Sequence, residues 1–428
     1  MLKLRSARVV EVLDAPDPSA RPGPFAAPDA SSEDGLYAGE GTSVPEQTLV
    51  VELQRSSGEA RERRPAIADI GLVGAAEVGD EVIVNVQALD LRLGSGGFDV
   101  VHANLTRGLS DQRVSRASGT SGASGRDGIP SEDGASGRSA MKLNYTSLQH
   151  EVEPVDDETL ELPVARPVAV LALHGQLAAL AWAFQSGAPG QRLGYVQTEG
   201  GALPGGHSRA VRELRRRGLL AGHLTAGAAY GGEGEAISTA GALHHGLVKL
   251  GWDAAVCGPG PGIVGSGSAL GHGGMAALDS AHVSLALGCP TLLVARMSAS
   301  DERERHRGIS HHTLTVLDLL LEPVTVALPA GMRSPVGTEL AAKLGAVFGE
   351  SGGPRPALSL EVERPARITR HDWRRGVVDL PGYAASGLPS VTMGRDLAAD
   401  PLFFASALAG GGALSELARE ACAPAGTP

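Results

Sequence analysis

Four short stretches of this chain carry side chains suited to ligand binding or proton transfer. They are His174, then Thr198-Glu199-Gly200-Gly201, then Cys257-Gly258, then Arg296-Met297-Ser298. Each follows an apolar run that reads as a buried strand: PVAVLAL, RLGYVQT, WDAAVCG and TLLVAR. In an open α/β sheet, ligands bind beyond the carboxyl ends of parallel strands, so residues far apart in sequence are expected on one rim. That convergence is the most informative pattern in the chain.

The third stretch opens the glycine-rich segment CGPGPGIVGSGSALGHGG, in which eight of the 17 residues from Gly258 to Gly274 are glycine. Backbone without Cβ atoms can approach a ligand closely and turn several N–H groups toward an anion. On that reading Gly258, Gly260, Gly262, Gly265 and Gly267 line the ligand, Ser266 and Ser268 add hydroxyls, and a helix starting near Gly274 adds its positive end. The other reading is a plain connector in a glycine-rich protein. Gly260, Gly262 and Gly265 spell G-x-G-x-x-G, but not in the first βα unit and with no acid after the next strand, so a dinucleotide fingerprint is not supported. No Gly-Lys-Ser/Thr follows, so a Walker A loop is excluded.

Next comes GISHHTLTVLDLLL. Ser310 is a good N-cap, and Ile309 and Leu314 occupy the staple positions. His311 and His312 fall in the first turn, where the helix dipole opposes protonation and keeps imidazole in the form that binds metal or acts as a base. Adjacent residues on a helix point about 100° apart, so one of the two is expected to face a given site. The alternative is two polar residues exposed at a helix start. With Arg296 to balance an anion's charge, Ser298 and Thr198 beside it, and His174, Glu199 or His311 in the catalytic role, the rim reads as a pocket for a small anionic metabolite, phosphate-like or nucleotide-like. A metal centre from His174, Glu199, His272 and His312 is the alternative, although no H-E-x-x-H or C-x-x-C spacing supports it. A third possibility is a non-catalytic interaction protein. No cofactor is indicated, and whether there is a reaction stays open.

The remaining titratable residues read as structural. His244 lies at helical spacing with Ile237, Gly241 and Val248, as in a packed core. Cys257 and Cys289 read as small buried hydrophobes, and no G-x-S-x-G elbow exists.

The elements that must position these residues fall into two parts. Before residue 150 the runs RSARVVEVL, QTLVVEL, RPAIADI, DEVIVNV and FDVVHANL are short, β-branched and separated by turn residues, with no good helix. Residues 1–150 therefore predict a small all-β barrel or sandwich. From 151 to 428 strands alternate with helices, which predicts a Rossmann-like domain with a mostly parallel sheet flanked by helices and a helical tail from about 382 to 421. SRAVRELRRRG reads as a helix whose basic last turn precedes Gly218. Two insertions, near 15–40 and 110–139, interrupt the β part. Within the second, 115–139, seven Ser and six Gly occupy 25 residues, as in a flexible loop or a lid.

Composition narrows the partners. The chain has 428 residues with 37 basic and 48 acidic side chains, a net charge of −11, and only 3% aromatics. An acidic, aromatic-poor protein suits neither duplex nor single-stranded nucleic acid. The N-terminus lacks a signal-peptide run and no membrane span is expected. Three scattered cysteines make no disulfide framework, so a cytoplasmic location is expected. The scarcity of Lys reads as GC-rich bacterial codon usage. The oligomeric state is not legible.

The strings 79–101 (GDEVIVNVQALDLRLGSGGFDVV), 141–149 (MKLNYTSLQ), 170–178 (VLALHGQLA), 195–204 (YVQTEGGALP), 257–274, 308–317 (GISHHTLTVL) and 390–404 (SVTMGRDLAADPLFF) together resemble an uncharacterised bacterial family, DUF3866. The resemblance covers nearly the whole chain outside the insertions. Members usually carry a Gly-His-Ile-like triplet before MKL, where this chain has Arg138-Ser139-Ala140, so any role of that histidine is absent here. No activity comes with the family. The resemblance implies one recurring unit with a shared site.

Overall fold

The computed structural model describes residues 2–13, 46–54, 62–91, 97–107, 139–157, 159–330 and 365–422. The insertions expected near 15–40 and 110–139 lie outside the described residues, apart from Ser139 at the end of the second. The chain divides into two compact units, one ending at Pro154 and one beginning at Val155 in its described part.

In the first unit, β1 (Leu4–Val12), β2 (Glu46–Leu53), β3 (Glu62–Asp69), β4 (Glu81–Asn85) and β5 (Asp99–Asn104) close a barrel in the order β1-β2-β3-β5-β4. β3 and β5 run parallel and every other pair is antiparallel, the connectivity of an OB-type Greek-key barrel. Alternation of side chains puts Ala7, Val9, Leu49, Val51, Ala66, Val82, Val84 and Val101 inside. All five strands expected from sequence are present. The expectation of no helix is corrected by two single turns, α1 (Ile70–Val73), capped by Asp69, and α2 (Gln87–Asp90). A short hairpin of β6 (Ala140–Lys142) and β7 (His150–Val152) completes this unit.

The second unit is an eight-stranded parallel sheet with helices on both faces. Its elements are β8 (Val168–Leu171), α3 (Leu177–Gly187), β9 (Leu193–Thr198), α4 (Arg209–Arg216), β10 (Gly222–Ala226), β11 (Gly234–Ala236), α5 (Thr239–His244), β12 (Ala254–Pro259), α6 (Ala276–Ala286) and β13 (Thr291–Val294). They continue through β14 (Met297–Ser298), β15 (Gly308–Ile309), α7 (His311–Leu319), β16 (Thr325–Ala330), α8 (Pro365–Thr369), β17 (Asp372–Val377), α9 (Leu380–Ala385), β18 (Val391–Thr392), β19 (Arg395–Asp396) and α10 (Pro401–Cys422). The strand order is β11-β10-β9-β12-β8-β13-β16-β17.

The chain leaves β8 in one direction, through α3 and α4, and packs those helices on one face. It returns through α5, α6 and α7 on the other face. Right-handed crossovers require that change of face when the direction of travel reverses. The sheet serves both cores by alternation: Ala169 and Leu171 point to the first, Val168 and Val170 to the second. Strands β8, β9, β10, β12 and β13 are buried along their whole length; apolar runs signal this for all of them except β10.

Three strands of the eight-stranded sheet escaped the sequence reading. GHLTA (β10) and GEA (β11) contain glycine and polar residues, and DWRRGV (β17) is charged, so none carries a strand signature. The helical spacing around His244 resolves into the short α5 followed by a π-turn at His245–Lys249. The buried Trp252 explains the glycines around it, since a Cβ on Gly194 would lie 1.8 Å from its ring and one on Gly246 2.4 Å away. The tail is less helical than expected, with the β18–β19 hairpin between α9 and α10.

By length and composition alone, α10 is apolar enough to cross a membrane. However, 83% of its apolar window is buried inside the protein, where Phe403, Phe404, Leu408 and Leu414 pack into the first core.

Candidate functional site

Register places the predicted strand ends side by side. Thr198 pairs with Pro259 across β9 and β12, Cys257 with Val170 across β12 and β8, and Leu171 with Val294 across β8 and β13. The residues that follow these ends share one rim of the sheet.

The segment after β13 builds the densest chemistry there. β14 turns back and pairs antiparallel with β15, and the returning strand feeds α7. Ser310 caps α7, accepting from the His312 N–H, while Thr313 Oγ1 accepts from the Arg296 N–H at 2.8 Å. The start of α7 is thus tied to the end of β13. His311 and His312 are both buried. The glycine segment makes an exposed excursion after β12, and its return leg, bridged Gly265 to His272, delivers His272 to the same place.

Four imidazoles and a guanidinium meet here. His272 and His312 stack with centroids 3.6 Å apart and planes 9° apart. His311 lies 4.4 Å from His312, and His306 lies 4.8 Å from His311. Arg296 is only 2% exposed and donates from Nη1 to His312 Nδ1 at 2.9 Å. A guanidinium only donates, so Nδ1 of His312 carries a lone pair. His272 Nε2 lies 3.0 Å from the Ala269 carbonyl, which only accepts. Neutral His272 therefore holds its proton on Nε2 and its lone pair on Nδ1.

The rings are neutral near pH 7. Burial, reinforced by Arg296, pushes His312 down to about 2, and burial with Arg296 and Arg303 pushes His306 to about 3. Burial and His272 take His311 to about 4. His272 is lowered by burial despite its bond to Ala269. Burial lowers Arg296 itself to about 10, opposed by Asp301.

The charge around this cluster is lopsided. Asp301 is shared by Arg303 at 3.0 Å, Arg395 at 3.2 Å and Arg296 at 3.5 Å. Burial raises the Asp301 carboxyl, but its bonds to Arg303 outweigh that and hold it well below the usual range. Asp400 takes Arg395 and Ser298. Arg305 reaches the exposed glycine turn, 3.4 Å from where a Cβ on Gly267 would stand. Among the described residues, the Nε–H groups of Arg296 and Arg305, His272 Nδ1 and His311 Nε2 are buried without a hydrogen-bond partner. A buried unmet donor costs about 1–3 kcal/mol.

The β18–β19 hairpin borders the cluster. Its turn residues Met393 and Gly394 both have positive φ, the type I′ pattern, and Met393 pays steric strain there. Met393 Sδ accepts from Arg296 Nη2 at 3.5 Å. The neighbouring Thr392 sits where a Cβ on Gly175 would fall, 2.6 Å from its hydroxyl.

Several predicted residues stand elsewhere. His174 belongs to a separate buried relay: its Nε2 lies 2.6 Å from Ser208 Oγ and its Nδ1 3.3 Å from the Tyr195 hydroxyl. Tyr195 in turn donates to the carbonyls of Gly258 and Pro259. Both ring nitrogens of His174 are occupied, and burial lowers it to about 4. Glu199 is exposed, and Thr198 bonds to its carbonyl. The metal set of His174, Glu199, His272 and His312 is thus corrected: only its last two members meet, and they are joined by His311.

The expectation that only one of His311 and His312 faces the site is also corrected. Their rings converge because His272 approaches from outside the helix and stacks on the second of the pair.

The glycines have mixed roles. A Cβ on Gly260 would lie 2.2 Å from the Ala202 carbonyl and one on Gly258 2.8 Å from Leu171, so both permit close backbone packing. Gly262 and Gly267 adopt positive φ in turns. Ser266 and Ser268 are exposed and bond to each other and to Gly271. Ser298 is committed to Asp400, and Ser310 bonds His306 at 2.7 Å. Cys257 and Cys289 are buried thiols pushed up to about 12 by burial, which leaves them unreactive. His244 is buried as expected, though it bonds Asp157 and the Glu161 N–H rather than packing apolar.

Sequence reasoning missed His306, Asp301, Arg303, Arg305 and Arg395. For all but Arg395 the signal was available: SDERERHRG places three arginines and a histidine between Arg296 and the His311-His312 pair.

A family model described as protein of unknown function (DUF3866) matches residues 65–411. The chain belongs to that family. No curated protein and no solved structure matches the chain. Every member of the imidazole–guanidinium cluster, from His272 to Arg395, falls inside the segment matched to DUF3866.

Proposed function

We propose that this DUF3866 protein binds a small anionic metabolite, phosphate-like or nucleotide-like, in the rim crevice around Arg296, and that His311 acts as the base in any turnover. The observation that carries the reading is Arg296. It is buried, it has an Nε–H without a partner among the described residues, and it shares its one near carboxylate, Asp301, with two other guanidiniums. Ordered water can meet an unpaired donor, but only an anion also offsets the excess positive charge.

The ring of neutral imidazoles suits this role. Neutral His311 has an Nε2 that no described residue occupies, so it is available to a ligand proton. A cytoplasmic bacterial setting, with a small-molecule ligand rather than nucleic acid or membrane, accords with the acidic net charge of −11.

Thermal-shift screening of the full chain against nucleotides and phosphorylated metabolites tests the proposal. Stabilisation by a phosphorylated ligand, absent with its dephosphorylated counterpart, is expected. No stabilisation by any of them at millimolar concentration would overturn it.

A metal-dependent hydrolase is the second reading. Its specific support is that His272, His311 and His312 each offer a ring nitrogen and that these atoms lie within 4.8 Å of one another.

A further inference from the structure

We infer that His272, His311 and His312 form a site for one divalent transition-metal ion of the zinc class, and that metal and anion bind there cooperatively. The inference deepens the anion reading of the same crevice, and only its cooperative half rests on that reading; with metal bound, His311 serves as a ligand and no longer as the base.

The donor set is imidazole alone, three nitrogens within 4.8 Å. Tetrahedral zinc with Zn–N of about 2.0–2.1 Å brings its ligand nitrogens to roughly 3.3 Å apart, so the rings must close by up to about 1.5 Å. Histidine χ2 is a soft torsion, which makes such a movement cheap. His272 is already prepared. Its Nε2–H is anchored on the Ala269 carbonyl, and its Nδ1 lone pair is buried without a partner among the described residues. That backbone anchor is the arrangement that usually orients a ligating histidine. His311 Nε2 is likewise buried and unmatched.

Gly274 keeps the space open. A Cβ there would stand 3.0 Å from His272 Nδ1 and 3.4 Å from His312 Nδ1, between the two lone pairs. The stacked planes of His272 and His312 direct those lone pairs side by side, so one ring tilts when a metal enters. The occupant of His312 Nδ1 is Arg296. A metal ion replaces that donor and releases a buried guanidinium next to the open fourth coordination position.

Charge then couples the two ligands. Arg296, Arg303 and Arg305 bear on the triad with only Asp301 shared against the first two, and none of the three donors is a carboxylate, so a dication alone meets repulsion. An anion on the fourth position offsets that repulsion and pairs with Arg296. The anion therefore tightens the metal, and by linkage the metal tightens the anion by the same factor.

The test titrates the full chain, stripped of metal by chelation, with cobalt(II), whose visible spectrum reports tetrahedral coordination. Each titration is run with and without inorganic phosphate. Wild type is expected to bind one equivalent, with phosphate tightening it by about tenfold or more. H272A and H311A are expected to lose the tetrahedral spectrum, and H272Q and H311Q replace them if circular dichroism shows that an alanine variant fails to fold. G274A is expected to weaken cobalt by about tenfold, and R296Q to keep the metal but lose the phosphate effect.

No cobalt bound by wild type under either condition, or wild-type binding in the folded His272 and His311 variants, would overturn the site. Cobalt binding indifferent to phosphate would overturn the coupling. If phosphate stabilises the chelated protein while no metal binds, this inference falls and the anion reading stands.

Discussion

Two histidine clusters lie at the carboxyl edge of one sheet, and they are built on opposite principles. Both ring nitrogens of His174 are spoken for, by Ser208 and Tyr195, with backbone carbonyls beyond Tyr195, and of the ring atoms here only Nε2 of the neighbouring His223 lacks a partner among the described residues. Around His312 the rings lean on each other and on Arg296, and two imidazole nitrogens and two guanidinium N–H groups have no partner among the described residues. Both clusters are buried and both keep histidine neutral. What separates them is satisfaction. A closed relay holds the fold together, whereas open valences under excess positive charge call for a ligand.

The comparison can be broken first by truncation. H174A strands Ser208 and Tyr195 in a dry core and leaves a cavity, so it should destabilise the protein by about 2–4 kcal/mol in urea unfolding. H311A, by contrast, should cost about 1 kcal/mol. Equal losses would erase the distinction between the two clusters.

Acid titration sharpens it. The folded pKa of His174 is about 4, and that of His223, which stacks on Tyr195, is about 3, both lowered chiefly by burial. The unfolded chain takes up these protons near pH 6.5. Stability is therefore full above pH 6.5 and falls as the pH drops toward 4, with His174 alone contributing a loss of about 2 kcal/mol by pH 5. Denaturant midpoints measured between pH 8 and pH 5 check this, and a flat profile would show that the relay accepts protons while folded.

The smallest expected effect concerns the glycine excursion. Because Ser266 and Ser268 are exposed and bonded to each other, the double variant S266A/S268A should change phosphate affinity by less than about twofold. A larger loss by calorimetry would return the excursion tip to the site.

The sequence foretold the parts of the molecule whose physics is local. Unbroken apolar runs gave the buried parallel strands, alternation gave the barrel, and Ser310 followed by two histidines gave the start of α7. It did not foretell what depends on contact between distant segments. His272 was legible as a candidate, but its stacking on His312 arises from the return path of the excursion, which no spacing rule encodes. Glu199 and His174 sit at strand ends as expected, yet one turns to solvent and the other into the core, a choice made by Ser208 and Tyr195. Arg303 and Arg305 carry no motif that would mark them, and the β14–β15 turn carries them toward Arg296.

The central claim is that Arg296 anchors an anion. Calorimetric titration of the full chain with inorganic phosphate, comparing wild type with R296Q, tests it most directly. Saturable binding to one site, at least about tenfold weaker in an R296Q protein of unchanged fold, is the predicted result. Equal affinity in the two proteins, or no heat at millimolar phosphate in wild type, would contradict it.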